Sequence, residues 1–263
     1  MSYHAGDQTR RAPPRVISIV RLSAALTACL LAGAPVHAST LVIIRTPHQV
    51  IIAADSLLVW HGDDQGVPLT CKLDGHGDVI FGIAGLMMES DFDARSFVEL
   101  VLNTPGSLAE RALVLERVLR GPLLGMLTRI RRELPRQFAE QLESGFVLNV
   151  TLAAVRNQTA HLEMRDFYAE TAPDGALRLR VVRVSCPRDC PRPTEVFGVG
   201  ETTAMMTHLS TLPRLPAELP GLAKQLVEIE IADRPALVGP PVDLVRASDA
   251  GIEWLQRKPA CAG

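Results

Sequence analysis

The sequence predicts an α+β protein made of two packed β-sheets with helices outside each. Two observations lead there. Apolar runs of strand length, rich in Val and Ile, fall in three groups: early (41–45, 50–54, 79–84), middle (146–155, 161–168, 177–184, 195–199) and late (242–246, 252–255). Between the groups stand two pairs of helical segments, and this block order suits sheets that face each other while helices cover their other faces. With 263 residues, 47% hydrophobic and 21% charged, the chain can bury one sizeable core.

The elements follow in order. Thr46-Pro47-His48-Gln49 separates the first two runs and reads as the turn of a hairpin. Polar, Gly-containing sequence at 61–66 is a loop, and the strand at 79–84 leads into Gly85. Ser90 or Asp91 can cap a helix with Phe92, Phe97, Leu100 and Val101 on one side, which Pro105-Gly106 ends. Ser107-Leu108-Ala109-Glu110 is a capping box for a second helix, kinked or interrupted at Gly121-Pro122 and running on towards Pro135. Pro173-Asp174-Gly175 turns between two of the middle strands. Helices at 201–209 and 219–231 precede a last hairpin that turns at Asp249-Ala250-Gly251, and the tail at 257–263 is expected to fray.

The first 38 residues differ in composition from the rest. Arg10, Arg11, Arg15 and Arg21 form a basic leader, 22–34 is uncharged and apolar, and Pro35-Val36-His37-Ala38 ends with small residues where a signal peptidase reads. The apolar stretch is shorter than the ~20 residues that span a bilayer, so the expectation is an exported protein, periplasmic or secreted, cut after Ala38 and without a stable membrane span. Residues 1–38 are then a signal peptide and 39–263 one domain. Two rival signals are present: Leu26-Thr27-Ala28-Cys29 fits a lipoprotein signal that would lipidate Cys29, and Arg10-Arg11 faintly echoes a twin-arginine signal. Cys71, Cys186, Cys190 and Cys261 remain after the cut, an even number suited to an oxidising compartment. Cys186 and Cys190 could close a small disulfide loop or remain free thiols, whereas Cys71, on an extended strand beside Lys72, is expected to be buried.

The order of elements, and the stretches "STLVIIRTPHQVIIAADS", "CKLDGHGDVIFGIAGL" and "VGPPVDLVRASDAGIEWL", resemble the proteasome β-subunit-like family of N-terminal nucleophile hydrolases. The resemblance implies a four-layer αββα sandwich, hydrolysis of an amide or peptide bond, a peptide or small amide as substrate, and a homo-oligomer. In that family a hydroxyl or thiol residue freed at the chain's N-terminus attacks the amide, and its own α-amine serves as base. Counting back from Asp55, which matches the family's aspartate after the second strand, puts the nucleophile at Ser39, the residue after the expected cut. Asp55 then orients the ammonium of Lys72, within one residue of the family's lysine, and Gly85 supplies a backbone N–H to the oxyanion.

Chemistry explains why position matters. A serine hydroxyl needs an adjacent base at neutral pH, and a free α-amine, titrating near 7.7–8.0, can take its proton directly or through one water. Only a first residue carries both groups. The sequence also departs from the family: Val199 and Val238 stand where active members carry serines, and Asp233 is about two residues from the place of a supporting aspartate. A non-catalytic binding or assembly protein on the same scaffold is therefore the competing expectation.

The net charge of −2 provides no basic surface for nucleic acid. No cofactor or metal is expected. His61, Asp63, Asp64, His76 and Asp78 lie close in sequence without ligand spacing and read as solvated turn residues, and His48, His161 and His208 are scattered. Trp60 and Trp254 read as packing residues. No Gly-x-Ser-x-Gly elbow, phosphate loop or dinucleotide fingerprint occurs.

Overall fold

A computed structural model describes residues 39–57, 70–89, 91–142 and 145–261. The expected signal peptide at 1–38 with Cys29, the loop residues Trp60, His61, Asp63 and Asp64, and Ser90 lie outside them. The fold is α+β with antiparallel sheets. In chain order the elements begin with β1 (Thr40–Arg45), β2 (Gln49–Ala54), β3 (Leu73–His76), β4 (Val79–Gly85), β5 (Met88–Glu89) and β6 (Phe92–Asp93). Helices α1 (Ala94–Leu102), α2 (Leu108–Glu133) and α3 (Pro135–Gln141) come next. Strands β7 (Phe146–Arg156), β8 (Thr159–Thr171), β9 (Leu177–Cys186) and β10 (Glu195–Gly200) precede helices α4 (Thr203–Thr211) and α5 (Leu219–Asp233) and the last pair, β11 (Asp243–Ser248) and β12 (Gly251–Gln256).

Among the described residues, one five-stranded sheet runs β10-β1-β2-β11-β12 and another β3-β4-β7-β8-β9. The alternation of side chains along a strand sorts the apolar residues between them. In β1 and β2, Leu41, Ile43, Val50, Ile52 and Ala54 enter a core shared with Ile80, Ala84 and Ala153 of the second sheet. Their neighbours Val42, Ile44, Ile51 and Ala53 pack against Leu222, Ala223, Leu226 and Val227 of α5. On the second sheet, Phe81, Ile83, Val150 and Leu152 face Leu115, Leu119 and Leu123 of α2. Each of these sheets is therefore apolar on both faces, which is why the strands read as near-continuous hydrophobic runs. The two sheets approach closely at Gly82, where an added Cβ would lie 2.5 Å from Leu41 Cδ2.

Several local expectations shift. The helix expected to be capped by Ser90 or Asp91 instead begins at Ala94, capped by the Asp93 side chain on Arg95 N–H (3.0 Å), because β5 and β6 first form a small antiparallel ribbon. The Ser107–Glu110 capping box is present, but α2 continues through Gly121-Pro122. Pro122 is exposed, on the side where water can satisfy the carbonyl bond that proline cannot make. The short helix α3 begins at Pro135, beyond the end expected for the second helix.

The cysteines settle one alternative and correct one expectation. Cys186 and Cys190 form the small disulfide loop rather than two free thiols, while Cys71, expected to be buried, is half-buried and bonded to Cys261 across 190 residues. The tail does not fray through 261: Lys258 is buried, and residues 259–261 form a 3-10 turn. A cross-link stabilises mainly by restricting the unfolded chain, so loop length separates the two bonds. Replacing Cys71 and Cys261 by Ser is expected to cost about 5 kcal/mol, and replacing Cys186 and Cys190 about 2 kcal/mol, read as unfolding free energies in urea.

Candidate active site

Ser39 immediately precedes β1, a central strand that pairs β10 on one side and β2 on the other. Its carbonyl accepts Glu201 N–H at 2.8 Å, and the Thr40 hydroxyl donates to the Glu201 carbonyl at 2.7 Å. Gly200 makes this approach feasible. It has φ +81°, and a Cβ there would lie 1.9 Å from the Ser39 oxygen. Ser39 and Thr40 are both buried.

Asp55, the residue after β2, is the meeting point. One carboxylate oxygen, Oδ1, accepts Thr40 N–H at 2.8 Å and the Lys72 ammonium at 2.6 Å. The other, Oδ2, accepts Leu57 N–H at 3.0 Å and Gly239 N–H at 3.1 Å. Both Asp55 and Lys72 side chains are fully buried. Four donors thus surround a carboxylate that water cannot reach, and a buried charge with full hydrogen bonding is tolerated where a bare one is not. Burial holds Lys72 below the usual lysine range, against the upward pull of Asp55's charge and hydrogen bond, while Lys258 pushes it down further.

The Lys72 carbonyl accepts Ile83 N–H at 2.9 Å, which ties the start of β3 to the end of β4 where Gly85 sits. Gly85 has φ +93°, and a Cβ there would meet the Val147 carbonyl oxygen at 2.2 Å, so the backbone turns in a space that only glycine fits. Ser39 (through Thr40), Asp55 and Lys72 therefore come together, with Gly85 at the end of the strand that carries the Ile83 contact.

The residues that weaken the family pattern are also placed. Val199 is buried in the core between the sheets, Val238 is fully buried, and Asp233 is exposed at the end of α5 against Arg234. The segment around Val238 nonetheless reaches the site through backbone: Gly239 donates to Asp55 and accepts Ser56 N–H at 2.8 Å. A backbone donor is blind to side-chain identity, so the stretch "VGPPVDLVRASDAGIEWL" that contains Gly239 gave no sign of this role. His76 bonds Asn103 at 3.1 Å, and Asp78 pairs with Arg156 at 2.7 Å; no group of three metal-ligating side chains occurs among the described residues. Trp254 packs against the inter-sheet core, with Arg257 4.2 Å from its ring.

Sequence reading missed a second buried pair. The Lys258 ammonium lies 2.9 Å from Asp243 Oδ2, both side chains fully buried, and it donates to the Ser56 hydroxyl and to the Thr70 carbonyl (2.7 Å). One signal was available: only three lysines stand among the 27 basic residues, and Lys72 and Lys258 are two of them. No protein-family model matches the chain, and no curated protein matches it.

The Asp55–Lys72 pair generates a test. Removing one member of a buried pair strands the other, at about 3–5 kcal/mol. Lys72→Met and Asp55→Asn are each expected to destabilise by that order, and the double variant by at least about 2 kcal/mol less than the sum. Additive losses in a urea double-mutant cycle would show that the two side chains do not depend on each other.

Proposed function

We propose that residues 39–263 adopt the four-layer αββα fold of the N-terminal nucleophile hydrolases and that the protein is an exported amidohydrolase or peptidase whose nucleophile is Ser39. The observation that carries this reading is the shared Asp55 oxygen. It holds the N–H of the residue after Ser39 and the ammonium of Lys72 at 2.8 and 2.6 Å. A fixed cation is thereby built beside the residue that signal-peptide removal would expose.

In this reading the Ser39 hydroxyl attacks the carbonyl carbon of an amide as its proton passes to the Ser39 α-amine. The oxyanion forms near Gly85, where a backbone donor can contribute about 3–4 kcal/mol. The ammonium returns the proton to the leaving nitrogen, the C–N bond breaks, and an ester to Ser39 remains. Water, deprotonated by the same amine, then releases the acid. Lys72 stabilises the developing negative charge and lowers the amine's pKa. The two apolar residues at 199 and 238 favour the rival reading, a scaffold that binds without acylation, and labelling of Ser39 distinguishes the two.

Exported protein treated with an electrophilic lactone is expected to gain a covalent adduct on Ser39, read by mass spectrometry. A form that retains one residue ahead of Ser39, and a Ser39→Ala variant, are expected to fold and to lose the adduct, since an amide nitrogen cannot act as the base. Equal labelling of the extended form would remove the amine from the mechanism.

The pH profile is expected to have two limbs. Labelling rises as the amine loses its proton and falls as Lys72 loses its own, the latter below the ordinary lysine value because burial disfavours the ammonium. Lys72→Met is expected to slow the reaction, move the rising limb to higher pH and abolish the falling one. A variant with the native rate and profile would show that Lys72 takes no part.

A further inference from the structure

The C-terminal tail grips the polypeptide on both sides of Lys72. Lys258 reaches Ser56, next to Asp55, and the carbonyl of Thr70, two residues before Lys72. Ser56 and Thr70 are themselves joined, Thr70 N–H to Ser56 carbonyl at 2.9 Å. Cys261 is bonded to Cys71, the residue directly before Lys72. Arg257 donates to Asp74, two residues after it, at 3.1 Å. The tail is held in turn: Lys258 N–H donates to Asp243 Oδ1 at 2.9 Å and Cys261 N–H to the Lys258 carbonyl at 3.0 Å.

Arginine is the ordinary cation of this chain, so two lysines buried in neighbouring ion pairs call for a reason. A lysine concentrates one charge on a compact head with three donors, which suits a site where hydroxyl, carbonyl and carboxylate converge from three segments. Ser56 is fully buried and its hydroxyl donates to the Pro241 carbonyl, so the Ser56–Lys258 contact organises the fold rather than presenting a second nucleophile.

We propose that Lys258 is a positioning residue for the Asp55–Lys72 pair, and that residues 257–261 dock as a clasp on which the reactivity of Ser39 depends. The inference rests on the hydrolase reading for its link to Ser39, but its effect on Lys72 is independent of it. Two causes act together. Lys258 sets the backbone on which Asp55 and Lys72 stand, and its charge adds to burial in disfavouring the Lys72 ammonium. The charged groups that bear on Lys72 are Asp55 and Lys258, with the Ser39 amine after processing; Asp243 faces Lys258.

The test replaces Lys258 by Met together with Asp243→Asn, which removes both charges and keeps an oxygen for the Lys258 N–H. Two readouts are taken: lactone labelling of Ser39, and the titration of lysine Nζ in ¹⁵N-lysine-labelled protein, where half-exposed Lys224 is the internal reference. Labelling is expected to fall tenfold or more, and the Lys72 midpoint to move to higher pH because a neighbouring cation has gone. Native labelling with an unmoved Lys72 midpoint would overturn the proposal. If native Ser39 takes no lactone, the hydrolase reading fails while the Lys72 midpoint still decides the role of Lys258. Should the variant not fold, the native protein decides: Lys258 ammonium protons are expected to exchange far more slowly than those of Lys224, and equal exchange would overturn a docked clasp.

Discussion

Everything near the N-terminal end of β1 depends on how Asp55 satisfies a charge that no water reaches. Thr40, Leu57 and Gly239 supply backbone N–H groups and Lys72 an ammonium, so four separate parts of the chain are fixed by one carboxylate. The cost of stripping water from a charge is repaid only when geometry is good and every lone pair is used. That requirement explains why the segments around it, the start of β1, the end of β2, the start of β3 and the turn before β11, cannot shift independently.

The sheets make such a site affordable. β1 and β2 are central strands, apolar on both faces, and the pairing of β1 with β10 and β2 with β11 leaves the first hairpin no edge of its own. Close contact of Leu41 with Gly82 fixes one sheet against the other near the ends that carry Asp55 and Lys72. The second pair, Lys258–Asp243, extends the buried polar region to the tail, and Cys71–Cys261 joins the tail covalently to the residue before Lys72, at the entry to β3. Two like cations close enough to influence each other are unfavourable alone, and their separate carboxylates make the arrangement stable.

The strands and most helices were legible in sequence because their signals are local. A short apolar run rich in Val and Ile marks a strand, and Ser107 with Glu110 marks a helix start whatever lies elsewhere. The local readings that shifted did so where tertiary contacts intervened: the β5–β6 ribbon delays α1, and an exposed proline leaves α2 continuous. Ser39, Asp55 and Lys72 could be named together only because their spacing resembled a known pattern.

The sequence by itself determined the apolar strand runs, the order of strand and helix blocks, and the candidate residues at the first hairpin and just before the strand that follows it. Only the tertiary structure decided the partners. Lys258 and Ser56 are 202 residues apart, Cys71 and Cys261 190, and Asp55 and Gly239 184. A strand signal needs nothing beyond its own residues, whereas a buried charge is specified by whichever distant groups replace its water, and a backbone N–H that does so leaves no mark in the amino-acid code.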